Sequence, residues 1–367
     1  GSGFAMKDDV VWVDFDFMEQ FMVDVFTGLG VPLEDAEICA DVLITSDKRG
    51  IDSHGVNRLK PHYYDRIKAG IQFPDAKNEI VRETSTTSVI DGNRGMGHAT
   101  AKHAMELAVK KAKEHGLGMT VVRNSTHYGI AGYYVLIAVE AGMIGITGTN
   151  ARPAVAPTYG VEPMLGTNPL TIGMPSDEEF PFVIDPATSI IQRGKVEVYA
   201  RNNEQLPNGL VIDENGEYLT DPDSILVKLL EKEASLLPLG GKAETGGYKG
   251  YGYSTVVEIL SSALQGGAFL QSVIGVNVGH FFLAIDIEAF TDLESFKKTT
   301  GDILRTLRTA KRMPGQPRIY TAGEKENLAW LERKDKGVPL NKSLRDEVIV
   351  MRDELGLDTR FPWEDML

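Results

Sequence analysis

Asp52-Ser53-His54-Gly55-Val56-Asn57-Arg58 sets an imidazole beside a glycine, with a guanidinium four residues on. Imidazole has the side-chain pKa nearest neutrality, so His54 can give or take a proton at physiological pH. The planar fork of Arg58 matches a carboxylate. Interconverting a 2-keto and a 2-hydroxy acid would need both groups, besides a redox cofactor. The other reading is an exposed loop histidine with Arg58 paired to an acidic neighbour. A second histidine, His127, sits in Ser125-Thr126-His127-Tyr128-Gly129, after an expected strand. It could be chemical, or simply hydrogen-bonded under a loop. His62, His98, His103, His115 and His280 fall within elements or at helix ends and are assigned no chemistry. Asp52, His54 and His127 are also suitable metal-ligand types, which makes a metal-dependent hydrolase the rival reading. No H-E-x-x-H or cysteine-rich site accompanies them.

A dinucleotide site should leave a glycine signature. Gly95-Met96-Gly97 follows an expected strand and precedes an expected helix, but Thr100 stands where the third glycine of G-x-G-x-x-G belongs. No acidic residue closes a second strand about 20 residues on, so a Rossmann site is rejected here. Three other segments could line a pocket with backbone groups. They are Leu165-Gly166-Thr167-Asn168-Pro169, Val183-Ile184-Asp185-Pro186-Ala187-Thr188-Ser189, and Gly246-Gly247-Tyr248-Lys249-Gly250-Tyr251-Gly252. The third reads as a flexible loop before a helix, whose N–H groups and lysine could approach phosphate.

These groups need a scaffold. Residues up to about 70 read as helical. Leu33, Ala36, Ala40 and Leu43 recur at helical spacing in a helix closed by Gly50, and a second helix is expected over 57–70. From 87 the pattern alternates: strand 87–91, helix from 101, strand 119–122, buried helix 130–141, strand 143–149. Short strands follow at 170–174 and 180–184, a hairpin turns at Glu214-Asn215-Gly216, residues 240–252 form a glycine-dense loop, and 278–287 is a strongly apolar strand. Beyond Asp292 the pattern is helical again, with segments near 324–334 and 344–355. The expected fold is mixed α/β (α+β). A discontinuous helical domain, 6–85 with 292–367, encloses an α/β region, 86–291, that could divide into two subdomains.

Composition bounds the partners. The chain has 367 residues and a formal charge of −14, so a nucleic-acid duplex is a poor partner and any cationic pocket must be deliberately placed. A single cysteine, Cys39, gives no disulfide framework, no signal peptide is evident, and no run approaches the roughly 20 apolar residues of a membrane span. The expected location is cytoplasmic. Residues 1–5, ahead of Met6, read as a leftover expression leader.

Six segments, taken in order, resemble the type-2 malate/L-lactate dehydrogenase family, which includes sulfolactate and ureidoglycolate dehydrogenases and diketogulonate reductases. They are Arg49-Gly50-Ile51-Asp52-Ser53-His54-Gly55-Val56, Asp91-Gly92 with Gly95 and Gly97, Ser125 to Gly129, Gly166 to Pro169, Asp185 to Ser189, and Gly246 to Gly252. The resemblance implies a non-Rossmann homodimeric oxidoreductase that uses NAD or NADP on a small 2-hydroxy or 2-keto acid, with malate/oxaloacetate favoured. It implies catalytic roles for His54, His127, Arg58 and Ser53, with the proton assigned to His54 first and His127 second. It implies cofactor contacts at Thr167, Asn168, Asp185, Pro186, Ala187, Lys249, Gly323, Glu324 and Lys325. Lys249 and Arg152 are candidates for a second substrate carboxylate. Pro186 and Ala151 stand where many relatives have Met and Ser, which removes a hydroxyl from the cofactor side.

Overall fold

The computed structural model describes residues 9–366; the leader lies outside them. A short strand, β1 (Val11–Val13), leads into α1 (Phe15–Gly28), whose first turn is capped by the Asp14 carboxylate accepting from the Phe17 N–H at 3.1 Å. Pro32 opens α2 (Leu33–Lys48), with Glu34 and Asp35 at its positive end. Ala36, Ala40 and Leu43 face inward as their spacing requires, but Leu33 is exposed.

The helix expected over 57–70 is replaced by tighter and looser turns. These are 3-10 turns at Asp52–His54 and Val56–Arg58, a π turn at Leu59–Tyr64, then the short α3 (Asp65–Lys68). Pro61 lies inside the π turn; with no N–H and a ring that crowds the preceding turn, it cannot continue a regular α-helix. The irregularity brings Tyr63 fully into the core.

The remaining elements are β2 (Glu79–Glu83), β3 (Thr87–Asp91), α4 (Gly97–His115), β4 (Leu117–Ser125), α5 (Gly132–Glu140), β5 (Met143–Thr149), β6 (Leu170–Met174), β7 (Phe182–Ile184), α6 (Arg193–Arg201), β8 (Val211–Asp213), α7 (Pro222–Leu230), β9 (Ala234–Leu236), α8 (Gly247–Leu260), β10 (Val278–Asp286), α9 (Leu293–Arg308), α10 (Glu324–Arg333), β11 (Val338–Leu340) and α11 (Lys342–Leu355). The main sheet has the order β2-β3-β4-β10-β5-β6-β7. Only β3 and β4 pair in parallel among its described strands, and α4 makes the crossover that such a pair requires. The fold is therefore mixed α/β without the parallel sheet of a Rossmann domain.

The apolar run of β10 is explained by its central position. Phe282 and Ala284 face the helical core, while Phe281 packs with Val121 and with Val257 of α8 on the opposite face. The main core runs unbroken from α1, α2 and the turns after them, through α4 and α5, to β11 and α11, and β1 pairs with β11. A second cluster, including Val155, Val196, Val211, Ile225 and Leu236, knits α6, α7 and the β8–β9 ribbon together. Of these parts, β1, β2, α6, α7, β9 and β11 were not legible as elements in the sequence.

Two buried histidines carry a pH signature. His98 and His280 are fully buried, and burial lowers each from its ordinary 6.5 to about 3. The folded pKa lies below the unfolded one, so below pH 6.5 protons favour the unfolded chain. Stability is full above about pH 6.5 and falls as pH drops toward 3, at a cost of about 2 kcal/mol per histidine by pH 5. Urea melts at pH 7.5 and pH 5 check this; an unchanged midpoint refutes it.

Candidate active site

The segment carrying His54 is clamped from several directions. The Asp52 carboxylate meets the Arg333 guanidinium at 2.5 and 2.9 Å, and Arg333 also donates to the Asp47 carbonyl at 2.9 Å. The buried Asp47 carboxylate accepts the Val56 N–H at 3.0 Å. Burial, with the charge of Asp52, pushes the Asp47 carboxyl well above the usual range. Gly55 passes directly over this group: a Cβ there would lie 2.1 Å from Asp47 Oδ1. Gly50, at φ +77°, leaves space for Ala329 of α10. Gly55→Ala is expected to displace the loop and lower turnover about 10²-fold while the circular dichroism spectrum is retained; near-normal turnover refutes it.

His54 Nδ1 lies 2.8 Å from Ser53 Oγ, and its ring stacks on that of His127 with centroids 6.2 Å apart. Burial first, then the charge of Arg58, lower His54 to about 4. His127 Nδ1 faces two donors, the Tyr63 hydroxyl at 2.6 Å and the Gly129 N–H at 3.3 Å. It is therefore neutral with its proton on Nε2. Burial, followed by His62 and His54, holds it well below the usual imidazole range. Tyr63 is itself fully buried, which raises its phenol and keeps it a donor.

A third histidine completes the group. His62 lies 5.2 Å from His127 between ring centroids, and its Nε2 is 3.2 Å from Arg58 Nη1. A guanidinium only donates, so His62 accepts and is neutral. Burial, then Arg58, Arg66, His54 and Arg152 push it to about 2. The sequence assigns His62 no chemistry, although Arg58, His62 and Arg66 stand four apart, the spacing of one helical face.

The expected cofactor segments lie side by side. Thr188 donates from its N–H to the Thr167 carbonyl at 2.9 Å and from its hydroxyl to the Asn168 carbonyl at 2.7 Å. The Leu170 N–H donates to the Pro186 carbonyl at 3.3 Å. Asn168 Nδ2 donates to Glu258 and to the Ser254 carbonyl, which docks α8 on this loop. The Asp185 carboxylate accepts from the Thr171 hydroxyl at 2.6 Å and the Gly132 N–H at 2.9 Å. The stretch from Ser125 to Gly132 thus carries His127 at one end and grips Asp185 at the other. Gly323, at φ +95°, leaves room for the Pro181 carbonyl; Ala187 is buried; Glu324 pairs with Arg318; and Lys325 lies 5.0 Å from the Tyr320 ring. Arg49 feels the charges of both Glu326 and Asp185, which ties this group to the His54 loop.

Two expectations differ from the structure, the flexible Lys249 loop and the metal-ligand set. Lys249 is not in a flexible loop: it stands exposed in the first turn of α8, whose N-terminus has no side-chain cap. Its one described side-chain partner is the Tyr248 ring, whereas Arg152 acts on His62. The metal-site rival fails because Asp52 is taken up by Arg333 and His127 Nδ1 by its two donors. The rejection of a dinucleotide site at Gly95–Gly97 agrees with the structure, where these glycines serve packing at the start of α4. A Cβ on Gly97 would lie 2.2 Å from the Thr126 carbonyl, and its N–H already donates to Thr126 Oγ1 at 2.8 Å.

Three neutral histidines thus meet Arg58, which forms no ion pair among the described residues, and the stretch that carries His127 also grips the Asp185 loop. The profile of the malate/L-lactate dehydrogenase family matches residues 13–349. The chain is 42% identical to the malate dehydrogenase of Pyrococcus horikoshii over 96% of this chain and 98% of that one. It is 38% identical to the L-sulfolactate dehydrogenase of Methanocaldococcus jannaschii, over 93% and 96% respectively. The crystal structure of malate dehydrogenase from Entamoeba histolytica superposes with a TM-score of 0.93 at 45% identity, covering 96% of this chain and 100% of that one. The chain belongs to the malate/L-lactate dehydrogenase family, a family of nicotinamide-dependent oxidoreductases.

Proposed function

We propose that the protein interconverts malate and oxaloacetate with NAD or NADP. The observation that carries this reading is the meeting of neutral His54, His127 and His62 with Arg58, a guanidinium that forms no ion pair among the described residues, in a chain of net charge −14. Arg58 holds the carboxylate next to the reacting carbon. His54, oriented by Ser53, takes the hydroxyl proton during oxidation and returns it during reduction. His127 presents its Nε2–H to the same substrate oxygen, held in that tautomer by Tyr63.

The residues present fit a nucleotide. Among the described residues Asn168 Oδ1 and Ser189 Oγ are buried without a hydrogen-bond partner, and the Lys249 ammonium stands in the first turn of α8, which no side chain caps. Thr167, Asn168, the Asp185–Ala187 stretch, Lys249 and Gly323 to Lys325 would hold it. The bound nicotinamide supplies or accepts the hydride. The test is oxidation of NADH and of NADPH with oxaloacetate, pyruvate, sulfopyruvate and diketogulonate, and the reverse reaction with malate. Preference for oxaloacetate over the others supports the reading; absence of turnover with oxaloacetate overturns it.

The proposed assembly is a homodimer. It is supported by the exposed apolar face of α8, where Tyr251 and Ile259 join Phe269 and Leu270 around a groove of about 670 Å³. Sedimentation velocity tests it. A cytoplasmic location rests on the lone, fully buried Cys39. No helix among the described residues is long and apolar enough to cross a membrane.

A further inference from the structure

Arg58 has company that a single carboxylate does not require. Arg66, half-buried in α3, donates from Nη1 to the Gly275 carbonyl at 3.5 Å. Arg152, exposed beyond the end of β5, approaches the same glycine from the other strand end. A probe atom at the Cβ position of Gly275 would sit 3.4 Å from Arg152 Nε and 3.6 Å from Arg66 Nη2. Both guanidinium groups therefore pack against the same glycine, and these two nitrogens are no more than about 7 Å apart, the sum of 3.4 and 3.6 Å. Neither arginine forms an ion pair among the described residues, although acidic side chains outnumber basic ones in the chain, 52 to 38. The charges of both, like that of Arg58, disfavour protonation of His62. Two like charges held together without a counter-ion repel each other, and a bound anion relieves that repulsion.

We infer that Arg66 and Arg152 form a second anion subsite, separated from Arg58 by the neutral His62, which selects keto acids bearing a second negatively charged group. This rests on the proposed reading of the site and names its substrate class. A 2-keto acid held by Arg58 at one carboxylate has its reacting carbon against His54 and His127, and its far end then faces the Arg66–Arg152 pair. A far carboxylate or sulfonate gains charge-assisted hydrogen bonds there. A methyl group, as in pyruvate, leaves two cations unpaired. His62, which accepts from Arg58, keeps that guanidinium turned to the first carboxylate rather than the second.

Arg152→Met and Arg66→Met, singly and together, test the subsite by steady-state kinetics with oxaloacetate and pyruvate. The expected result for the double variant is a fall of about 10²-fold in kcat/KM for oxaloacetate, with less than about threefold change for pyruvate. Equal losses on both substrates, or no loss on either, overturn the inference. Arg66→Lys keeps a charge and guards against a folding defect at the half-buried position; it should recover part of the oxaloacetate rate. A second arm does not depend on turnover: calorimetric titration with malonate and with acetate. Malonate affinity should drop at least tenfold in the double variant, and acetate affinity should not; unchanged malonate binding overturns the subsite. If no keto acid is reduced, the reading of the reaction fails, and the malonate titration still decides the subsite on its own.

Discussion

His54→Ala lowers turnover by ~10²–10⁴-fold in both directions, the usual cost of removing a positioned acid or base. The pH profile identifies the residue more sharply than the rate does. Burial and Arg58 hold His54 at about 4, so the free protein carries it as a base over the physiological range. For malate oxidation, kcat/KM should stay flat down to about pH 5 and fall as pH drops through the His54 pKa, where the base becomes protonated. In His54→Ala that acid limb disappears along with the rate. A variant that keeps near-normal turnover, or keeps the limb, removes His54 from the proton step and leaves His127. Tyr63→Phe separates their roles further. It strips the hydroxyl donor from His127 Nδ1 without touching His54, so it should lower kcat and leave the acid limb in place.

Arg58→Met produces the second large effect, and it has two parts. Loss of the carboxylate partner in a largely enclosed site costs ~10²–10³-fold in kcat/KM, carried mostly by KM. The loss falls alike on oxaloacetate and pyruvate, because both present a carboxylate beside the keto group. That sets Arg58 apart from Arg66 and Arg152. The second part is electrostatic. Arg58 depresses His54, so its removal moves the His54 pKa upward and shifts the acid limb of malate oxidation to higher pH. Unchanged KM with an unmoved limb would falsify the assignment.

The sequence made some of this visible and hid the rest for physical reasons. His54, Arg58 and His127 were legible because each lies within three residues of a glycine just after a regular element, α2 or β4, where a short motif stays intact. The alternation of β3, α4, β4, α5 and β5 was legible because each has its own period of apolar residues. His62 was hidden by Pro61 and the π turn, which place it against His127 in a way no regular helix would. The helix α8 read as a loop because its start is rich in glycine. Those glycines answer to packing: a Cβ on Gly247 would lie 1.9 Å from the Gly241 carbonyl oxygen, and one on Gly250 would lie 2.0 Å from that of Leu239. Tertiary contact, not helix propensity, sets the composition there. The Arg333 clamp had no local trace at all, since nothing near Asp52 in the chain points to it.

Asp52 and Arg333 are 281 residues apart. On the ribosome, His54 emerges early, but the guanidinium that fixes its loop is added only after most of the chain has been made. β1 waits for its partner strand in the same way, since β11 follows α10. Closing so long a loop is entropically costly and is recovered only when the last helices dock. A nascent or truncated chain can thus form the central sheet and still lack a competent proton-transfer loop. Activity is acquired at the last stage of assembly, so a chain cut short before residue 333 reports itself as inactive.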